Sequence, residues 1–135
     1  MRFLKALRKL IIKQRKDVLP NVKSQVPDEL FGQAKNAERR GDFQAAINLY
    51  SQAIAIDPKD VNAYNNRGLA YIKLENYDQA IEDFAQAIAL DSTIALDPEE
   101  VLYYNNRGNA HNGLQNYDQA RKDGKKARDL GKREL

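Results

Sequence analysis

The run Tyr64-Asn65-Asn66-Arg67-Gly68-Leu69-Ala70-Tyr71 returns 40 residues later as Tyr104-Asn105-Asn106-Arg107-Gly108-Asn109-Ala110-His111. Behind it, Asn76-Tyr77-Asp78-Gln79-Ala80 returns as Asn116-Tyr117-Asp118-Gln119-Ala120 at the same offset. Upstream, Phe43, Ala46, Tyr50 and Ala53 precede Tyr77, Ala80, Phe84 and Ala87 by 34 residues each. Self-similarity at such a spacing marks an array of structural repeats.

The residue types explain the spacing. Tyr64, Gly68 and Tyr71 share one face of a helix, and after Leu74-Glu75-Asn76 a second face carries Ala80, Phe84, Ala87 and Leu90. Small residues at Gly68, Ala80 and Ala87 let two antiparallel helices approach closely, while Tyr64, Tyr71, Tyr77 and Phe84 fill the space around them. One hairpin cannot bury both faces, so it stacks on its neighbours. This unit resembles a tetratricopeptide (TPR) repeat. Tyr64, Gly68, Tyr71, Ala80, Phe84 and Ala87 meet that family's pattern; Arg67 replaces its Leu, and Ser92 stands where it closes with Pro. The resemblance implies an all-α, right-handed α-solenoid of three hairpins, preceded here by an N-terminal amphipathic helix.

The repeats fall at about 27–60, 61–98 and 101–135, which leaves residues 1–26 as a separate basic helix and linker. In repeat 1 the first helix is expected over 28–40 and the second over 43–56. Repeat 2 carries a six-residue insert: Ile88-Ala89-Leu90-Asp91 is written again as Ile94-Ala95-Leu96-Asp97. With no Gly or Pro between Leu74 and Pro98, the second helix is expected to continue through the insert. In repeat 3 the second helix is thinly apolar, with Ala120, Gly124, Ala127 and Leu130 among basic residues. That polar face reads as the solubilising end of an array rather than a nucleic-acid patch.

Composition suits a soluble helical protein, with 42% hydrophobic and 30% charged residues, and the absence of Cys removes disulfides and thiolate metal sites. The expected setting is cytoplasmic, with peripheral membrane attachment or organelle import as alternatives. Charge is unevenly spread. Residues 1–26 hold eight Lys/Arg against one acid, residues 27–120 hold seven against fifteen, and residues 121–135 hold seven against three. The repeats are acidic and both ends are basic.

In MRFLKALRKLIIKQRKDVLP, Phe3, Leu4, Leu7, Leu10 and Ile11 make one helical stripe, and Arg2, Lys5, Arg8, Lys9, Lys13, Arg15 and Lys16 cover the rest. Pro20 and Pro27 bracket residues 21–26, read as a link that ends this helix. The helix has three readings: a cap laid on the open face of repeat 1, a membrane-surface helix using Phe3, Leu4, Leu7, Arg8 and Ile11, or a transit peptide or unstructured basic arm.

No catalytic constellation is present. The single His, His111, takes the place of Tyr71 on the packing side of its helix, and the acids Asp57/Asp60, Glu82/Asp83 and Glu99/Glu100 read as solvated charge. The chain is therefore expected to be no enzyme, with no cofactor and no metal. What remains is a binding surface. The resemblance implies that the first helices of successive repeats line a concave groove, which places Lys35, Asn62, Asn65, Asn66, Lys73, Asn105, Asn106 and Asn109 there. Asn is a poor helix former, yet the first helices of repeats 2 and 3 hold seven. Its amide both donates and accepts, so Asn66 and Asn106 could pair with a peptide backbone irrespective of sequence.

Chaperone-tail-binding members of the family clamp a terminal carboxylate with two Lys, two Asn and an Arg. The corresponding residues are Phe31, Lys35, Asn66, Leu102 and Asn106, of which Asn66 alone matches, so that clamp is not expected. The expected function is a protein-interaction adaptor holding an extended peptide or partner helix; the alternative is a peripheral membrane tether whose repeats recruit a partner. Nucleic acid is not an expected partner.

Overall fold

The computed structural model describes residues 2–91 and 99–132, with residues 10–25 described in backbone only. It holds six helices and no strand among these residues: α1 (Arg2–Arg39), α2 (Phe43–Ile56), α3 (Val61–Lys73), α4 (Tyr77–Asp91), α5 (Glu99–Gly113) and α6 (Tyr117–Lys132). They pair as hairpins α1–α2, α3–α4 and α5–α6, and α2 packs on α3 as α4 packs on α5. The expected all-α solenoid of three hairpins is what forms.

Each hairpin turns by the same device. Gly41, Glu75 and Gln115 all take left-handed backbone, with φ of 76°, 58° and 60°. The next residue's N–H reaches back five positions: Asp42 to the Ala37 carbonyl at 2.9 Å, Asn76 to Tyr71 and Asn116 to His111, both at 2.8 Å. These bonds satisfy carbonyls orphaned at the helix end. Glycine enters this conformation freely, whereas Glu75 and Gln115 each carry a cost of roughly 1–2 kcal/mol. Asp42 and Asp60 then cap α2 and α3, their carboxylates accepting from the Ala45 and Ala63 N–H groups at 3.1 and 3.3 Å.

The core is built on alanine. Ala34, Ala37, Ala46, Ala80, Ala87 and Ala110 are fully buried, which lets helix axes close in, and Tyr50, Phe84 and Tyr103 supply the bulk. Phe31 meets Tyr50 edge to face, with ring centroids 5.4 Å apart. Gly68 is buried for a clear reason: a Cβ there would lie 2.8 Å from Phe84 Cε1. His111 is half-buried as its register implied, with Nε2 3.8 Å from Asp123 Oδ2.

Three expectations are corrected. The separate N-terminal helix and its link at 21–26 are absent as such, because α1 runs unbroken from Arg2 to Arg39. Pro20 and Pro27 each remove a backbone donor and crowd the carbonyl four residues back, yet the helical backbone runs on through both. The cap on repeat 1 does not form over residues 2–9. A helix that never bends back cannot return its start to the repeats, and Phe3, Leu4 and Leu7 are 78%, 64% and 42% exposed. Asp83, read as solvated, is buried, and so is its counterpart Asp123.

Both acids are buried because each is gripped by an arginine. Arg67 donates through Nε and Nη2 to the two Asp83 oxygens at 2.8 and 2.7 Å, and Arg107 binds Asp123 with the same two distances. Arg67 also reaches Ser51 Oγ of the preceding repeat at 3.1 Å. The 34-residue offset puts Ala85 where Ser51 would be for Arg107, so that third bond cannot recur. Bonding to Asp83 raises the Arg67 pKa, and burial pushes the Asp83 carboxyl up despite the lowering by the guanidinium. The extension of the repeat 2 helix through the insert, with Ile94 and Leu96, lies outside the described residues.

Candidate peptide groove

The first helices α1, α3 and α5 face a common hollow of about 360 Å³. Lys35 and Glu38 come from α1, Leu69, Ala70, Ile72 and Lys73 from α3, Asn106 and Asn109 from α5, and Phe43 from the start of α2. The lining follows from register. On α3, Leu69 and Lys73 stand four residues apart, one helical turn, so both reach the same side. On α1, Lys35 and Glu38 are three apart and form an ion pair at 3.2 Å.

Glu38 has a second partner. Tyr50 donates its hydroxyl to Glu38 Oε1 at 2.9 Å, which ties the groove wall to the core of repeat 1. Burial and this acid together push the Tyr50 hydroxyl well above its ordinary range. With Glu38 so held, Lys35 is drawn to the groove surface, where its Nζ also donates to Asn66 Oδ1 at 3.4 Å. Lys73 is exposed and pairs with no carboxylate among the described residues.

Of the residues placed in the groove from sequence, Lys35, Lys73, Asn106 and Asn109 line the hollow. Asn66 touches it through Lys35. Asn62 and Asn105 are exposed on the same helices but do not line it. Asn65 is a correction. It is 8% exposed and accepts a 3.0 Å bond from Asn106 Nδ2, which joins α3 to α5. Asn106 is likewise 8% exposed and spends an N–H in that bond, but it lines the hollow and Asn65 does not, so Asn65 alone leaves the set. Phe31 packs on Tyr50 instead of standing open. Sequence reasoning missed Glu38, Phe43 and Ile72. The signal for Glu38 was its place one turn beyond Lys35; Phe43 shows in the sequence only as a repeat position, and Ile72 carries no signal there.

Comparisons with known proteins converge on the repeats. A family described as TPR repeat matches residues 39–75, and two families described as Tetratricopeptide repeat match 61–94 and 102–135. Human Tetratricopeptide repeat protein 28 is 42% identical over 63 residues, 47% of this chain and 2% of that protein. Human Serine/threonine-protein phosphatase 5 is 42% identical over 64 residues, 47% of this chain and 13% of the phosphatase. Small glutamine-rich tetratricopeptide repeat-containing protein 2 of Saccharomyces cerevisiae is 33% identical over 87 residues, 57% of this chain and 25% of that protein. The chain thus spans a quarter or less of these relatives' lengths.

Among solved structures, the first TPR of Spaghetti (RPAP3) bound to the HSP90 peptide SRMEEVD matches with TM-score 0.70 at 27% identity, covering 79% of this chain and 80% of that one. The second TPR domain of human RPAP3 in complex with the HSP70 peptide SGPTIEEVD matches with TM-score 0.71 at 25% identity, covering 80% and 85%. Both hold chaperone peptides, so the expectation that a chaperone tail is not held by a carboxylate clamp is not borne out.

Proposed function

The chain belongs to the tetratricopeptide repeat family, and from that premise we propose that its groove holds an extended acidic peptide of a partner protein. The chain is a protein-interaction adaptor, and its role in this reading is recruitment without catalysis. The observation that carries the proposal is the pair Lys35 and Lys73, set on two different first helices around one hollow. Leu69, Ile72 and Phe43 offer apolar surface between them, and Asn109 offers a full amide to a ligand backbone beside what Asn66 and Asn106 keep free of Lys35 and Asn65. The peptides held by the two RPAP3 domains supply this chemistry, since both end in Glu-Glu-Val-Asp.

The clamp positions Phe31 and Leu102 carry no charge, so acid recognition here falls to Lys35 and Lys73. The peptide SRMEEVD, labelled at its N-terminus, is a suitable probe. It should bind more tightly than the amidated Gln/Asn analogue SRMQQVN. Lys35→Gln with Lys73→Gln should weaken SRMEEVD by about tenfold, as two partly solvated charged contacts would. The gap between intact and changed protein should narrow as salt rises, because these side chains are open to solvent. Fluorescence anisotropy reads all three. Equal affinity for the acidic and neutral peptides, or none for either, would defeat the proposal.

A further inference from the structure

The start of α1 presents apolar surface that none of the described residues covers. Phe3, Leu4 and Leu7 are exposed together, and Arg2, Lys5, Arg8 and Lys9 beside them are exposed too. Among the described residues α1 packs chiefly on α2, and its first fully buried side chain is Ala34. The sequence continues the stripe at Leu10 and Ile11, and residues 1–16 contain no acid at all. The family matches begin at residue 39, so this surface is read from the chain's own residues.

We propose that the first turns of α1 lie on an anionic lipid surface, with Phe3, Leu4 and Leu7 entering the acyl boundary and the flanking cations meeting phosphate and carboxylate headgroups. Spanning is not involved, since no described helix is long and apolar enough to cross a membrane. An apolar stripe with basic flanks and low overall hydrophobicity is the pattern of helices that rest in the interface. Charge decides between occupants. A second copy alongside would set the eight Lys/Arg of residues 1–26 against eight more, with only Asp17 on each side to offset them. A fluid anionic surface answers uniform positive charge without matched positions.

The length of α1 removes an objection. Residues 27–120 carry seven Lys/Arg against fifteen acids, and an anionic surface would repel them. The part of α1 ahead of repeat 1, residues 2–27, reaches ~39 Å, while charges are screened within about 8 Å at physiological salt. Repulsion is confined to acids within that distance of the surface, so the contact tolerates the acidic repeats where α1 rises from the surface beyond its first turns.

The test is co-sedimentation of the full chain with phosphatidylcholine vesicles containing about 30% phosphatidylserine, or none. The intact chain should pellet with the anionic vesicles and stay in solution with the neutral ones. Leu4→Asp with Leu7→Asp should weaken pelleting at least about a hundredfold, because it replaces buried apolar contact by charge. Lys5→Gln, Arg8→Gln and Lys9→Gln together should weaken it about a hundredfold as well, and the remaining binding should be less sensitive to salt. Both variants should keep the melting midpoint of the intact chain, which separates lost binding from lost folding. The proposal is overturned by equal pelleting with neutral vesicles, or by none with anionic ones. It is overturned equally if Lys122→Gln with Lys126→Gln removes binding while the Leu4/Leu7 change leaves it. Self-association that the Leu4/Leu7 change abolishes, seen by sedimentation equilibrium without lipid, would make a second copy the occupant instead.

Discussion

Replacing Arg67 by Met should cost about 3 kcal/mol and lower the melting midpoint on the order of 10 °C. The Asp83 side chain is 5% exposed, and its two oxygens receive two charged bonds from one guanidinium. Removing the arginine leaves a carboxylate in a place water barely reaches, and that uncompensated charge dominates the cost. Arg67 is itself 20% exposed, which sets the estimate at the low end for broken buried pairs. Changing both partners, Arg67→Met with Asp83→Leu, should recover most of the loss.

The single change also has a pH signature. In the intact protein desolvation raises the Asp83 pKa while Arg67 lowers it, by its bond and its charge. Without Arg67 the carboxyl rises further, so the folded variant holds a proton more tightly than the unfolded chain does. A raised carboxyl loses stability as pH climbs through the folded pKa. The deficit should be largest near neutrality and shrink as pH falls toward the ordinary value of 3.8. Thermal melts across that range check it; a deficit independent of pH would place the cost in packing, not charge.

Phe84→Ala should cost about 3–5 kcal/mol, the range for a fully buried aromatic. The ring is fully buried and packs with Ala80 and Ala110. Its edge also lies where a Gly68 side chain would go, at 2.8 and 2.9 Å from an added Cβ. Gly68→Ala alone should therefore cost roughly 1–3 kcal/mol through overpacking. In the Phe84→Ala background the same methyl enters vacated space, and the helix gains up to ~1 kcal/mol from losing a mid-helix glycine. The two changes should thus cost less together than apart. Strict additivity in denaturant unfolding would show that Gly68 and Phe84 do not share that space.

Most of the fold was legible because it repeats. Aromatic and small residues recurring at 34 and 40 residues fix two helix faces and the partner each requires. Side-chain fates were legible only where one helix decides them. Lys35, Lys73, Asn106 and Asn109 reach the groove because register alone points them there. Asn65 does not, because its surroundings are set by Asn106 from the next repeat, and the periodicity of α3 holds no information about that bond. Arg67 and Asp83 were separately visible, and their recurrence as Arg107 and Asp123 was a usable signal. Charged residues on helices are usually solvated, which hid the pairing until distances were known. The continuity of α1 was obscured for a related reason: proline weakens a helix locally but does not by itself oblige the chain to turn.

Each helix finds its principal partners next to it in the chain; α3 against α5 is a lighter exception. Ordering therefore closes only short loops, and assembly can start at one hairpin and spread outward by docking successive neighbours. Disassembly runs the other way: an outer hairpin can open while the middle one stays closed. A ligand seated across α1, α3 and α5 changes that kinetics. It ties both outer hairpins to the central one, so opening at either end would have to wait for the ligand to leave.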